Sequence, residues 1–344
     1  MKKHFQINNF KIGKNHPTFI IAEAGINHNG SLKLAKQMVD LAKKTGVSCI
    51  KFQTHISEEE MIRTSMTPGN ISKKSLWDII KSVELTEGDE LKIKKYCESK
   101  KILFLSTPFS KMAVDRLERL NIPAYKIGSG ELTNHELINY VSQTKKPVML
   151  STGMSTMSEI NSAVNILKNK NIPYAILETT SIYPAKYNEM RLGMISKFIK
   201  KFNVPIGLSD HSIGNYISFA AVALGASIIE RHFTLDKKMN GPDQKMSLNN
   251  VELLDLVKGI RAIEAANNSV KTIQNNEQII RNFARGSIVT IQNIQKNEKF
   301  SRNNIGIKRP GNGKLSPKNF NSIIGKKSKK SLSLNHQLTI NDII

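Results

Sequence analysis

Two histidines, His211 in PIGLSDHS and His232 in SIIERHFT, each stand at the polar end of a short apolar run, one helix-length segment apart. The pattern reads as strand, helix, strand with an imidazole at the carboxyl end of each strand. Neighbouring strands of a parallel sheet lie ~4.8 Å apart, so two such imidazoles can share one divalent cation. A single strand-end histidine is more often a hydrogen-bonded structural residue, and it is the repetition at equivalent positions that carries the metal reading. No cysteine and no obvious third protein ligand joins the pair, which leaves positions for water and substrate. The expected ion is an exchangeable Mn, Mg, Co or Zn used as a Lewis acid, not a closed structural zinc.

Other polar residues fall at comparable places. Eight apolar runs end in Glu23, in Lys51 with Gln53, in Thr107, in Lys126 with Ser129, in Ser151, in Tyr183, in Ser209 with His211, and in Glu230 with His232. Helical patterns follow the runs: Leu32 to Gly46, around Leu76 and Leu91, Met112 to Leu120, Glu136 to Thr144, Ser158 to Lys168, Arg191 to Phe202, a segment through Ala226, and Val251 to Ala266. Pro123, Pro147, Pro173 and Pro205 each precede a strand, where a missing N–H costs least.

Eight strand-helix repeats predict a (β/α)8 barrel, with the polar ends converging on one mouth. An open doubly wound sheet is the rival, but no strand carries a GxGxxG turn. Residues 1 to 17 read as a polar lead-in or a hairpin closing the barrel floor. The long polar stretch from Ile56 to Lys74 reads as a lid or substrate loop. Lys51 and Lys126 have apolar neighbours within their strands, and the GSGE turn offers backbone N–H groups, a combination suited to phosphate or carboxylate. With the histidine pair they point to a small anionic substrate and a polarised carbonyl. A Schiff-base aldolase using Lys126 is the competing use of that amine.

The formal net charge of +23 over 344 residues is unevenly spread. From Arg281 onward thirteen Lys and Arg face Glu298 and Asp342, a net +11. The lysines are scattered without interleaved aromatics, which favours a solvated background and leaves nucleic-acid binding through the basic tail as a remote alternative. The sequence shows no run of 18 apolar residues and no export signal, so a soluble cytoplasmic protein with no membrane partner is expected. Cys49 and Cys97 read as reduced, buried or half-buried thiols. The barrel is expected over 1–268, a linker over 269–280, and a small β-type module over 281–344, in which KRPGNG presents Arg309.

IAEAGINHNG, KFQTH, STPF, YKIGSGE, LSTGM, IYP, GLSDHS, ERHFT, GPD and KRPGNG, in this order and spacing, resemble the sialic acid synthase family, the phosphoenolpyruvate-dependent synthases of nine-carbon 2-keto acids. The resemblance spans nearly the whole chain. It implies a TIM-barrel synthase with a C-terminal antifreeze-like (SAF) domain and a domain-exchanged homodimer. It also implies that His211 and His232 bind the divalent metal ion, usually manganese or magnesium. Lys51, Thr107, Lys126, Ser129, Ser151 and Ser209 would hold phosphoenolpyruvate. Gln53, Asn70, Glu131, Tyr183, Asp243 and, from the other subunit, Arg309 would hold an N-acetylated amino sugar. Glu23 and Asp243 are the candidate bases.

By the same resemblance, C3 of phosphoenolpyruvate attacks the aldehyde carbon of the open-chain sugar, water adds at C2, and phosphate leaves by C–O cleavage. Members using N-acetylmannosamine commonly have Asn two residues before the Tyr of IYP, where this chain has Ser181. The shorter side chain loses a reach to the sugar and leaves room for a 2,4-diacetamido-6-deoxy hexose, which would give legionaminic or pseudaminic acid. The surroundings of Tyr183 and Arg191 place N-acetylneuraminate synthesis first.

Overall fold

The computed structural model describes residues 4–67, 74–267, 270–313 and 315–344. The chain divides into two compact units, Met1–Asn267 and Asn268–Ile344. The first opens with an antiparallel hairpin, β1 (His4–Ile7) and β2 (Phe10–Gly13). Eight parallel strands follow: β3 (Phe19–Gly25), β4 (Cys49–Thr54), β5 (Leu103–Pro108), β6 (Tyr125–Ile127), β7 (Val148–Ser151), β8 (Tyr174–Thr179), β9 (Ile206–Asp210) and β10 (Ile228–His232). Their hydrogen-bonded order is β5-β4-β3-β10-β9-β8-β7-β6. β5 and β6, at the two ends of that order, lie against each other, so the sheet curls into a nearly closed barrel.

Alternation along the strands builds both faces. Ile20, Ile50, Phe104, Val148, Ile176 and Ile229 point outward into a large core shared with the helices. Ile21, Cys49, Leu105, Met149, Ala175 and Ile228 point inward and pack with Phe5, Ile7 and Ile12 of the hairpin, which thereby plugs the floor. Each fully buried aliphatic side chain contributes roughly 1.5–3 kcal/mol. The helices are α1 (Leu32–Thr45), α2 (Ser57–Glu60), α3 (Leu76–Val83), α4 (Glu87–Ser99), α5 (Lys111–Arg119), α6 (His135–Gln143), α7 (Met157–Asn169), α8 (Met194–Phe202), α9 (Tyr216–Ala223) and α10 (Asn250–Ala266).

Helix α1 shows the local logic. Its buried Ala35, Met38, Val39 and Ala42 recur at helical spacing, Ser31 caps its first turn by accepting from Leu34 N, and left-handed Gly46 ends it.

Within the second unit, α11 (Asn275–Ala284) precedes an antiparallel pair, β11 (Ser287–Thr290) with β12 (Ile305–Lys308). Ile288, Ile294, Phe300, Ile305, Leu332 and Leu338 form its small core, and a short helix, α12 (Phe320–Ile323), adds Ile323. The stretch read as a linker therefore carries the start of a helix. Its capping box, Gln274 with Glu277, is the signal that the polar composition hid. No described helix is long and apolar enough to cross a membrane.

Candidate functional site

A cavity of about 490 Å³ opens at the carboxyl ends of the barrel strands. Glu23, Lys51, Gln53, Thr107, Lys126, Ser129, Glu131, Ser151, Tyr183, Ser209, His211 and His232 all line it. A larger hollow of about 650 Å³ lies at the opposite end, against the amino ends of β5 and β6 and the hairpin turn, and contains none of these residues.

At the base of the cavity two buried lysines share carboxylates. Lys51 Nζ is 2.7 Å from Glu23 Oε2 and 3.7 Å from Glu230 Oε2, and donates to Thr107 Oγ1 at 3.0 Å. Lys126 Nζ is 3.3 Å from Glu230 Oε1 and donates to Ser151 Oγ at 2.7 Å. Burial pulls Lys51 down, but Glu23 and Glu230 outweigh it and its pKa ends above the ordinary lysine value. Burial also pulls Lys126 down; Glu230 offsets only part of this and Lys51 adds to it, so its pKa ends lowered. Burial would raise Glu230, yet Lys126, Lys51 and the hydrogen bond from Ser209 Oγ at 2.9 Å hold it well below the usual carboxylate range. Glu230 is thus the common counterion. In the sequence it was one more polar strand residue, because only closure of the barrel brings β4 and β6 to the same carboxylate.

The imidazoles stand beside this cluster, their ring centroids 5.5 Å apart. His211 Nδ1 donates to Thr180 O at 2.7 Å. Burial first, and His232 second, push its pKa down to about 3, so the ring is neutral with the Nε2 lone pair bare. His232 Nδ1 is buried without a hydrogen-bond partner. Gly25, at φ +51°, lies under this ring, and a Cβ there would come within 3.3 Å of His232 Cε1. Among the described residues no group of three or more His, Cys, Asp and Glu side chains is set to hold an ion. Two bare imidazole nitrogens nevertheless fit an ion whose other positions go to water and substrate. Charge points the same way: the described lining holds Lys51 and Lys126 against Glu23, Glu60, Glu131 and Glu230, so an anionic ligand needs an added cation.

Several expected residues sit differently from the sequence reading. Tyr183 lies beyond the end of β8, with its ring 4.2 Å from that of His211 and 6.0 Å from that of His232. Asp243 is not part of the cavity wall, although its Oδ2 is 3.6 Å from His232 Nδ1. Asn70 falls outside the described residues, and Arg309 is an exposed residue of the second unit just after β12.

Ser181 is expected from the sequence to face the sugar, but its hydroxyl is near Ser129, one of the residues assigned to phosphoenolpyruvate. A Cβ on Gly153 would lie 2.1 Å from Ser181 Oγ and 2.7 Å from Ser129 Oγ, and Ser129 Oγ accepts from Gly153 N at 3.1 Å. The Ser181 hydroxyl is buried and unpartnered. The sequence also gave no role to His55 and Glu60, which line the cavity next to Gln53.

The sequence model of the NeuB family matches residues 38–272, and that of the SAF domain matches residues 285–344. The chain belongs to the NeuB family. It is an enzyme of this nonulosonate synthase family, with a TIM-like barrel followed by a SAF domain. It is 39% identical over 326 residues to the N,N'-diacetyllegionaminic acid synthase of Campylobacter jejuni, covering 91% of this chain and 96% of the relative. It is 37% identical to the pseudaminic acid synthase of the same organism, covering 98% and 99%. The crystal structure of an N-acetylneuraminic acid synthetase from Leptospira borgpetersenii superposes with a TM-score of 0.73 at 35% identity, over 81% of this chain and 95% of that one.

Proposed function

We propose that this NeuB-family enzyme condenses phosphoenolpyruvate with an open-chain N-acetylated amino sugar and releases phosphate by C–O cleavage. The observation that carries the reading is the Lys51–Glu230–Lys126 cluster at the base of a cavity edged by two imidazoles. Lys51, Lys126, Thr107, Ser129, Ser151 and Ser209 hold the phosphate and carboxylate of phosphoenolpyruvate. Ser181, from its place beside Ser129, joins the same end. Gln53, Glu131 and Tyr183 line the remaining wall and take the sugar. His211 and His232 would hold a divalent cation, manganese or magnesium, which supplies Lewis acidity toward an aldehyde oxygen.

C3 of phosphoenolpyruvate attacks the sugar aldehyde carbon, and the positive charge left at C2 is met by water. Glu23, held by Lys51 and Gln53, orients that water and accepts its proton. The tetrahedral carbon then expels phosphate, whose charge the two lysines neutralise throughout.

With Ser181 at the anion end, its difference from Asn no longer selects the sugar. The near full-length match to legionaminic and pseudaminic acid synthases supports a 2,4-diacetamido-6-deoxy hexose as strongly as the likeness to an N-acetylneuraminic acid synthetase supports N-acetylmannosamine. A substrate panel separates them. Phosphate release from phosphoenolpyruvate should require one of these sugars and a divalent ion. It should fall on the order of a thousandfold in His211→Ala, the scale of a lost Lewis acid. Turnover that survives excess chelator, or release without any sugar, defeats the proposal. Borohydride trapping checks the Schiff-base use that the lowered pKa of Lys126 would favour. Changing Arg309, implied to reach the sugar from the other subunit, to Ala should raise the sugar KM, and an unchanged KM removes that assignment.

A further inference from the structure

Beyond the end of β4 a buried hydrogen-bonded chain runs into the site, and the reaction scheme leaves its outer half unused. The His55 ring stacks on Phe109, centroids 4.3 Å apart and planes 17° from parallel. Its Nδ1 lies 2.8 Å from Glu60 Oε1, and its Nε2 lies 3.0 Å from Gln53 Oε1. The side chains of both His55 and Glu60 are only 6% exposed. Gln53 Nε2 donates to Glu23 Oε1 at 3.0 Å, and Glu23 Oε2 meets Lys51.

The two carboxylates at the ends of this chain determine where its hydrogens lie. An ionised Glu23 only accepts, so the Gln53 atom facing it is the amide nitrogen and the atom facing His55 is the carbonyl oxygen. That oxygen takes an N–H from His55 Nε2. An ionised Glu60 would likewise only accept, so that Nδ1 would carry a hydrogen as well, and only the imidazolium donates from both nitrogens. The neighbouring imidazole, His28, accepts from Gly30 N through Nδ1 at 3.1 Å, and burial first, then His55, pushes it down to about 4. It adds no competing positive charge.

The backbone carrying this pair is tied down on both sides. Thr54 Oγ1 donates to Glu90 Oε1 at 2.6 Å, and the N and Oγ of Ser57 donate to Glu84 Oε2 at 3.1 and 2.6 Å. The segment is therefore built to hold its inward-facing side chains in one arrangement.

We propose that His55 and Glu60 form a positioning ion pair for the sugar end of the site. The pair turns the Gln53 amide so that its nitrogen faces Glu23, and Gln53 and Lys51 then hold the two oxygens of that carboxylate. The proposal rests on the synthase reading for what Gln53 and Glu23 do to substrate, while the hydrogen-bond order stands without it. Lacking the His55 donor, the amide keeps only its hold on Glu23 and loses the one on its oxygen, so the aim of both the amide and the carboxylate loosens.

Nitrogen-15 NMR of histidine-labelled full-length protein at neutral pH reads the arrangement directly. His55, assigned by its disappearance in His55→Phe, should show two protonated ring nitrogens, and only one in Glu60→Gln. A neutral His55 ring in the unsubstituted protein overturns the proposal whatever the catalytic result. The kinetic arm is a double-mutant cycle. His55→Phe keeps an aromatic face for Phe109 and should raise the sugar KM roughly tenfold through Gln53 and lower kcat several-fold through Glu23, with the phosphoenolpyruvate KM within about twofold.

In a Gln53→Met background, with no amide left to orient, His55→Phe should add nothing. Equal losses in both backgrounds would mean that His55 acts through packing alone, and would sink the positioning role. Should His55→Phe fail to fold, Glu60→Gln, nearly isosteric, should raise the sugar KM several-fold, and an unchanged KM there counts as refutation. If the unsubstituted protein does not consume phosphoenolpyruvate with any sugar, the synthase reading fails and the NMR result still decides the pair.

Discussion

Glu23 lies two positions after Ile21, Lys51 after Cys49, Ser151 after Met149 and Glu230 after Ile228, so the same strands present two inward layers of opposite chemistry. The lower layer packs dry against the hairpin. The upper layer is almost as inaccessible, with Glu23 at 1%, Lys51 at 2%, Lys126 at 3% and Glu230 at 4% exposure, yet it is made of charges. Removing charge from water costs several kcal/mol per ion, offset here only by the pairing within the cluster. The floor gains stability from burial, whereas the mouth keeps its buried charges through their mutual pairing.

Substitutions can break that contrast. Glu230→Leu leaves both lysines short of their shared counterion and should lower unfolding free energy by ~3–5 kcal/mol in urea titration. A loss below ~1 kcal/mol would show that the charges are not a coupled cluster. Two residues earlier, Ile228→Ala should cost ~3 kcal/mol through an emptied volume in the floor while leaving the phosphoenolpyruvate KM unchanged. A KM that moves with it would merge the two layers.

Glu90 supplies a pH-dependent check from behind the mouth. Burial, only partly offset by Thr54 and Arg116, raises its pKa to about 7 from the ordinary 4.5. The folded chain then keeps a proton that the unfolded chain has lost, so stability should fall as pH rises from 4.5 to about 7. Glu90→Gln should remove that decline, on the order of 3 kcal/mol; an unchanged slope assigns it elsewhere. The smallest effect is expected from Ser181→Asn, a several-fold change in the phosphoenolpyruvate KM with sugar preference unaltered. A switch of sugar instead would return Ser181 to the role its sequence position first implied.

What the sequence made legible follows the strand period. Alternation of apolar and polar residues is local information, and it was enough to find the eight strands, the inward lysines and the paired histidines. Contacts across the barrel are not local. Glu230 bridges lysines on two other strands, and Ser181 turns toward Gly153 and Ser129, which no spacing within its own segment predicts. His55 looked like the tail of a strand motif because its partner Glu60 lies on a four-residue helix inside a stretch read as loop. Tyr183 reads as a strand end because Ile182 and Tyr183 follow the apolar run in one continuous segment, whereas pairing stops at Thr179.

The hairpin under the barrel has a kinetic corollary. With Phe5, Ile7 and Ile12 packed into the floor, the described cavity opens at the carboxyl ends of the strands, where the lysines and the imidazoles share its wall. Under the proposed reaction, the released phosphate leaves from the lysines that held it within phosphoenolpyruvate, so inorganic phosphate should inhibit competitively against phosphoenolpyruvate.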